Sequence, residues 1–239
     1  MSGYLRVQLE LGERELVAIV GAGGKSTVLF ELGRELAADG RTVILTTTTK
    51  MAQDQVTEPA CWSVDPGDVD RALNPGEPLF VAVGTVPGKV TGPLAEEVDR
   101  LFDETAADYV LVEADGARSM SVKAPADHEP VIPNRSTLVV VVVGIDAIGR
   151  PLRDVAHRPE RIEAITGQPA DAIVTVADVA AILLHPEGGL KQVPDGARVA
   201  IAITKVAPET EQAATDLEIR LVAHPRVDSV LVLQETDIA

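Results

Sequence analysis

Leu16-Val17-Ala18-Ile19-Val20-Gly21-Ala22-Gly23-Gly24-Lys25-Ser26-Thr27 is an apolar run that breaks on three glycines and then opens a segment of helical periodicity. With no polar residue alternating along it, the run reads as a strand buried on both faces. The glycines let backbone N–H groups wrap an anion without Cβ clashes. The helix expected over residues 25–38 aims its partly positive N-terminus at the same point. Lys25 is spaced to reach the outer phosphates and Ser26 to hold Mg²⁺. This segment therefore predicts a phosphate-binding loop, with Gly21, Ala22, Gly23, Gly24, Lys25, Ser26 and Thr27 around a nucleoside triphosphate, ATP foremost.

The spacing narrows the reading. The common loop G-x-x-x-x-G-K-[ST] needs a glycine where this chain has Ile19, so the loop here is two residues shorter. The short form G-x-x-G-K-[ST] resembles the loop of the Mur-ligase ATPases. A dinucleotide-binding G-x-G-x-x-G would meet Ser26 in third place. It would also want an acid after the next strand, where Thr46-Thr47-Thr48-Thr49-Lys50 stands. A turn that only tightens a strand–helix junction leaves Lys25-Ser26 unexplained.

Composition bounds the alternatives. A chain of 239 residues suits a single domain, residues 1–239. Its formal charge of -16 is spread along the sequence rather than gathered in a tail, so no basic stripe exists to neutralise nucleic acid. Six lysines against fifteen arginines, with abundant Ala, Val, Asp and Glu, fit either adaptation to a salty cytosol or an ordinary acidic protein. Cys61 is the only cysteine, in a stretch (residues 60–64) that reads as a short strand where a lone thiol packs as a small hydrophobe. The longest apolar run, residues 138–143, is far short of the ~20 residues of a membrane span, and the N-terminus lacks a basic segment followed by an apolar core. A cytoplasmic protein without a membrane or nucleic-acid partner is expected.

Short β-branched runs alternate with helix-period segments, which predicts an α/β fold of the P-loop NTPase type: a mostly parallel sheet with helices on both faces. Strands are expected at residues 16–20, 42–45, 79–83, 109–112, 138–143, 199–203 and 230–233. Two stretches break the rhythm and read as loops. One is the turn-rich segment 84–93; the other is the long segment 114–135, carrying Pro125, Pro130 and Pro133, whose length points to function.

The chemistry-bearing residues cluster where strands stop. Glu113 and Asp115 follow an apolar strand, alternate along any extended continuation, and would face one side. Carboxylates beyond the carboxyl end of a parallel strand suit Mg²⁺ binding or orientation of a nucleophile. Lys25, Glu113 and Asp115 are thus the catalytic candidates, and Ser26, Thr47, Glu113 and Asp115 the metal-ligating ones. Lys50 follows the threonine run and would add a second positive charge near substrate.

Family resemblance becomes specific at Val112-Glu113-Ala114-Asp115-Gly116-Ala117, followed by Val122-Lys123-Ala124-Pro125-Ala126-Asp127-His128-Glu129-Pro130-Val131-Ile132-Pro133. With the glycine loop, Thr46 to Met51, Gly144-Ile145-Asp146-Ala147-Ile148-Gly149 and His157-Arg158-Pro159-Glu160, these resemble the landmarks of the YqeC family, in its order. That resemblance implies an accessory role in maturation of selenium-dependent molybdenum hydroxylases, with a hydroxylase or its cofactor as partner. Thr204-Lys205-Val206-Ala207 resembles the base-reading [NT]-K-x-D, with Ala207 where the aspartate should stand. Guanine selection by that route is lost, which favours ATP or leaves the base loosely read, with Lys205 either a base contact or a lysine snorkelling from a strand end. Lys123, His128, His157 and Arg158 are candidates for a second-substrate site. Two functions remain open: a Mg²⁺-dependent NTPase or Mur-ligase-like enzyme, and a nucleotide-gated chaperone for cofactor insertion. A second enclosed polar pocket beside the phosphate loop would favour the first, and an exposed apolar patch whose loops move with nucleotide the second.

Overall fold

In the computed structural model, which describes residues 4–234, the alternation of apolar runs and helical segments resolves into a parallel sheet between two helical layers. The strands are β1 (Glu15–Gly21), β2 (Val43–Thr47), β3 (Lys50–Ala52), β4 (Ala60–Cys61), β5 (Leu79–Val81), β6 (Gly84–Val86), β7 (Lys89–Thr91), β8 (Tyr109–Glu113), β9 (Val122–Lys123), β10 (Leu138–Gly144), β11 (Ala156–His157), β12 (Arg198–Val206) and β13 (Ser229–Gln234). The helices are α1 (Tyr4–Gln8), α2 (Lys25–Ala38), α3 (Pro66–Ala72), α4 (Ala95–Glu104), α5 (Leu152–Val155), α6 (Pro159–Thr166), α7 (Val176–Leu184) and α8 (Glu211–Val222).

The main sheet runs β13-β12-β10-β1-β8-β2-β5-β4, with every neighbouring pair parallel. Side chains alternate across it, so each strand feeds two cores. Val17 and Ile19 of β1 join Val28, Leu29 and Leu32 of α2 and Leu5 of α1 on one face. Leu16, Ala18 and Val20 join Val98 and Leu101 of α4, Val179 of α7 and Leu217 of α8 on the other. Both faces are covered, which is why the strands read as continuous apolar runs.

Register places the chemistry. Gly21 lies beside Val142, Ile19 and Thr47 both lie beside Glu113, and Gly144 lies beside Thr204, so the ends of β1, β2, β8, β10 and β12 meet at one sheet edge.

Three expectations need correction. Segment 84–93 is not a loop: β6 and β7 form a hairpin that pairs with β3 in a separate antiparallel sheet of order β3-β7-β6. Its Pro87-Gly88 tip, with Gly88 at φ 70, sits between β-branched residues and was the signal available. The strand around Cys61 is two residues long, and the thiol is half-buried with Trp62 exposed beside it. Within segment 114–135, β9 pairs in parallel with β11, which ties the long loop to residues 156–157.

Candidate functional site

The glycine loop is built against β10. A Cβ on Gly21 (φ 95) would lie 2.3 Å from the Val142 carbonyl oxygen, and one on Gly23 (φ 93) 2.2 Å from the Gly144 nitrogen. Only glycine permits both the backbone conformation and the approach. The Ala22 N–H donates to Val142 O at 2.9 Å, and the Thr204 hydroxyl donates to the carbonyls of Gly23 and, at 3.1 Å, Val143. The loop is thus preformed, with α2 beginning at Lys25 immediately after it.

Lys25 is only 5% exposed. Its ammonium donates to Gly21 O at 3.0 Å and lies 3.2 Å from Asp115 Oδ1 and 3.8 Å from Glu113 Oε1. The Ser26 hydroxyl donates to Glu113 Oε2 at 2.7 Å. Sequence alternation had placed Glu113 and Asp115 on one side, and both do meet Lys25, yet their surroundings differ. Glu113 faces the cavity beside the loop. Burial pushes its carboxyl above the usual carboxylate range, against the pull of Lys25 and the Ser26 hydrogen bond. Asp115 lies beneath the loop: its Oδ2 accepts from the Gly21 N–H at 3.0 Å and pairs with the Lys123 ammonium at 2.8 Å. Through Oδ2 it holds the loop backbone, while its Oδ1 is buried without a hydrogen bond and lies nearest the Lys25 ammonium.

From Asp115 the charges continue in alternation. Lys123 donates to Gly116 O at 2.7 Å and to Glu129 Oε2 at 3.0 Å. Arg158 then grips both oxygens of Glu129, at 2.8 and 3.2 Å. Burial would raise the Glu129 pKa, but the hydrogen bonds from Arg158 and Lys123 outweigh it and hold the carboxyl at about 2. Lys123, expected at a substrate site, is buried with its donors engaged and so belongs to the frame instead. Thr47 is fully buried, donates to Glu113 O at 2.9 Å, accepts from the Thr49 N–H at 3.1 Å and does not line the cavity described next.

Beside the loop opens a cavity of about 910 Å³. Gly23 to Thr27 and Glu113 form one wall, and the small sheet another through Lys50, Lys89 and Thr91. Residues 116–120, with His128, His157, Arg158 and Lys205, complete it. His128 is exposed. Burial, reinforced by Arg158 and Lys123, lowers the pKa of His157 below its ordinary value, so its ring is neutral at pH 7. Lys205, at φ 57, donates to Ser121 Oγ at 2.8 Å and to Asp146 Oδ2 at 3.1 Å. It therefore stands at the rim of the same cavity. Lys89 and Arg118 escaped notice in the sequence, because the first lies in the misread hairpin and the second between motifs.

The chain belongs to the YqeC family: the family model described as YqeC protein matches residues 17–160. It is 37% identical over 196 residues to Uncharacterized protein YqeC of Escherichia coli (strain K12), across 80% of this chain and 77% of that one. Among solved structures, chloroplast FtsY from Physcomitrella patens aligns with 97% of this chain at 16% identity and a TM-score of 0.48. The aligned part is 63% of that chain. Among the described residues, no helix is long and apolar enough to cross a membrane.

Proposed function

We propose that this YqeC-family chain binds a nucleoside triphosphate, ATP foremost, on the loop Gly21–Thr27 and catalyses transfer of its terminal phosphoryl group. The observation that carries the reading is the preformed loop with Lys25, Ser26 and a buried Glu113 at the mouth of a large cavity. The loop N–H groups and the N-terminus of α2 would receive the phosphates, and Lys25 would turn from Asp115 to their outer oxygens. Mg²⁺ fits the donor set. Ser26 Oγ and Glu113 are hard oxygen ligands 2.7 Å apart, and the raised Glu113 pKa marks a carboxylate that a cation would stabilise. Bound there, the ion would offset charge on the phosphate oxygens. Among the described residues no three His, Cys, Asp or Glu side chains are placed to hold a metal ion by themselves. These two protein ligands together with phosphate and water oxygens are the usual Mg²⁺ arrangement at such sites.

The reaction is an in-line attack on the γ-phosphorus by water or by a second substrate, with the bond to the β,γ-bridging oxygen breaking and ADP leaving. The cavity beside the loop, with Ser26, Glu113, His157 and Arg158 in its lining, is where a second small molecule would sit in the enzymatic reading, which we prefer to the nucleotide-gated chaperone. The cellular setting we propose, maturation of a selenium-dependent molybdenum hydroxylase in the cytoplasm, rests on the family resemblance.

Glu113→Gln provides the test. It keeps an acceptor for the Ser26 hydroxyl but removes the charge that Mg²⁺ needs. Nucleotide affinity should stay within about threefold while Mg²⁺-dependent phosphate release falls at least about a hundredfold. Wild-type turnover in this variant would place the catalytic carboxylate elsewhere.

A further inference from the structure

We propose that Lys50, Lys89 and Arg118 form a subsite for a second substrate carrying phosphate or carboxylate groups, across the cavity from the phosphate loop. The inference rests on the nucleotide reading above and adds the chemical class of the second ligand.

Charge pairing carries it. Lys25, Arg158 and Lys205, which line the same cavity, each have a carboxylate partner. Lys50, Lys89 and Arg118 line it too, and among the described residues their side chains make no hydrogen bond or ion pair. This occurs in a chain with 37 acidic against 21 basic residues, where partners for surface cations abound. The two carboxylates on the cavity wall cannot serve, since Glu113 is engaged by Ser26 and Lys25 and Glu129 by Lys123 and Arg158. The result is a concave basic patch on an acidic molecule, and such a field concentrates anions.

Geometry gives the patch a shape. In the antiparallel pair of β3 and β7, Lys50 opposes Thr91 and Ala52 opposes Lys89, so the two lysines project from one face of the small sheet as a diagonal pair. Such diagonal neighbours lie about 7–8 Å apart, a distance that two ammonium groups can close on one anionic group. Met51 and Val90, on the opposite face, are each 2% exposed and anchor the sheet in the core. Arg118, at φ 49, reaches the cavity from segment 116–120. The volume of about 910 Å³ lies near the top of the ~300–1,000 Å³ span of ligand pockets, which leaves room for a nucleotide and a second small molecule.

The test is calorimetric titration of inorganic phosphate, and separately of citrate, into the full chain saturated with Mg²⁺ and a non-hydrolysable ATP analogue at low salt. At least one anion should bind, with Kd raised about tenfold in Lys50→Gln/Lys89→Gln and about threefold in Arg118→Gln, while analogue affinity stays within twofold. Lys50→Arg/Lys89→Arg should restore anion binding. Three results would overturn the proposal: no binding of either anion to the loaded wild type, equal binding by the variants, or a parallel loss of analogue affinity, which would assign these cations to the nucleotide's own phosphates. If the wild type fails to bind the analogue, the nucleotide reading falls separately. Anion titration of the unliganded chain and the same variants then decides the subsite, with binding that the Gln variants weaken upholding it and unaffected or absent binding overturning it.

Discussion

A methyl group at Gly23 would press to 2.2 Å from the backbone nitrogen of Gly144, at a φ of 93 that side chains avoid. Gly23→Ala is therefore expected to cost about 2–4 kcal/mol of stability and to abolish triphosphate binding, as read by urea unfolding and by nucleotide titration. Wild-type values in both would mean that the loop adopts another conformation in solution. Glu113 works in the opposite sense. Its folded pKa is raised above the unfolded value, so its contribution to stability is full below the unfolded pKa and is lost as pH rises through the folded one. At neutral pH Glu113→Gln should accordingly melt about 2–4 °C higher than the wild type without ligand, with the difference vanishing in acid. The glycine spacing and the Lys-Ser pair were legible in the sequence because they are local. The burial of Lys25 was not, since it depends on Asp115, delivered from another strand.

At the scale of elements, β9, β11 and the long loop are joined to the phosphate loop by the chain Lys25–Asp115–Lys123–Glu129–Arg158. Removing Lys123 would leave two carboxylates buried without their shared cation. Lys123→Met is thus expected to lose about 3–5 kcal/mol and to weaken nucleotide binding by releasing Asp115 from the Gly21 N–H. Denaturant unfolding with parallel ATP titration measures both, and unchanged ATP affinity in a folded variant would show that the chain does not support the loop. The main-sheet strands were readable because parallel strands buried on both faces leave continuous apolar runs. The small sheet was hidden because strands of three residues carry too little alternation to stand out among turn residues. β9 was hidden for the same reason, its two residues gaining order only from β11.

Over the whole molecule, a net charge of -16 surrounds one basic cavity, so salt should act in two directions. Screening relieves surface self-repulsion and should raise the melting temperature between low salt and about 1 M NaCl, where the Debye length falls to about 3 Å. The same screening should weaken triphosphate binding. A melting temperature that falls with salt would mean that surface ion pairs, such as Arg34 with Glu58, outweigh the repulsion. Such charge effects frame the claim that the loop binds a triphosphate, which is tested most directly by calorimetric titration of ATP with Mg²⁺ into the wild type and Lys25→Met at fixed ionic strength. A melting curve of each protein establishes that the variant is folded. The expected result is saturable one-site binding to the wild type, weakened at least about a hundredfold in Lys25→Met. No binding to the wild type, or equal affinity in the folded variant, would contradict it.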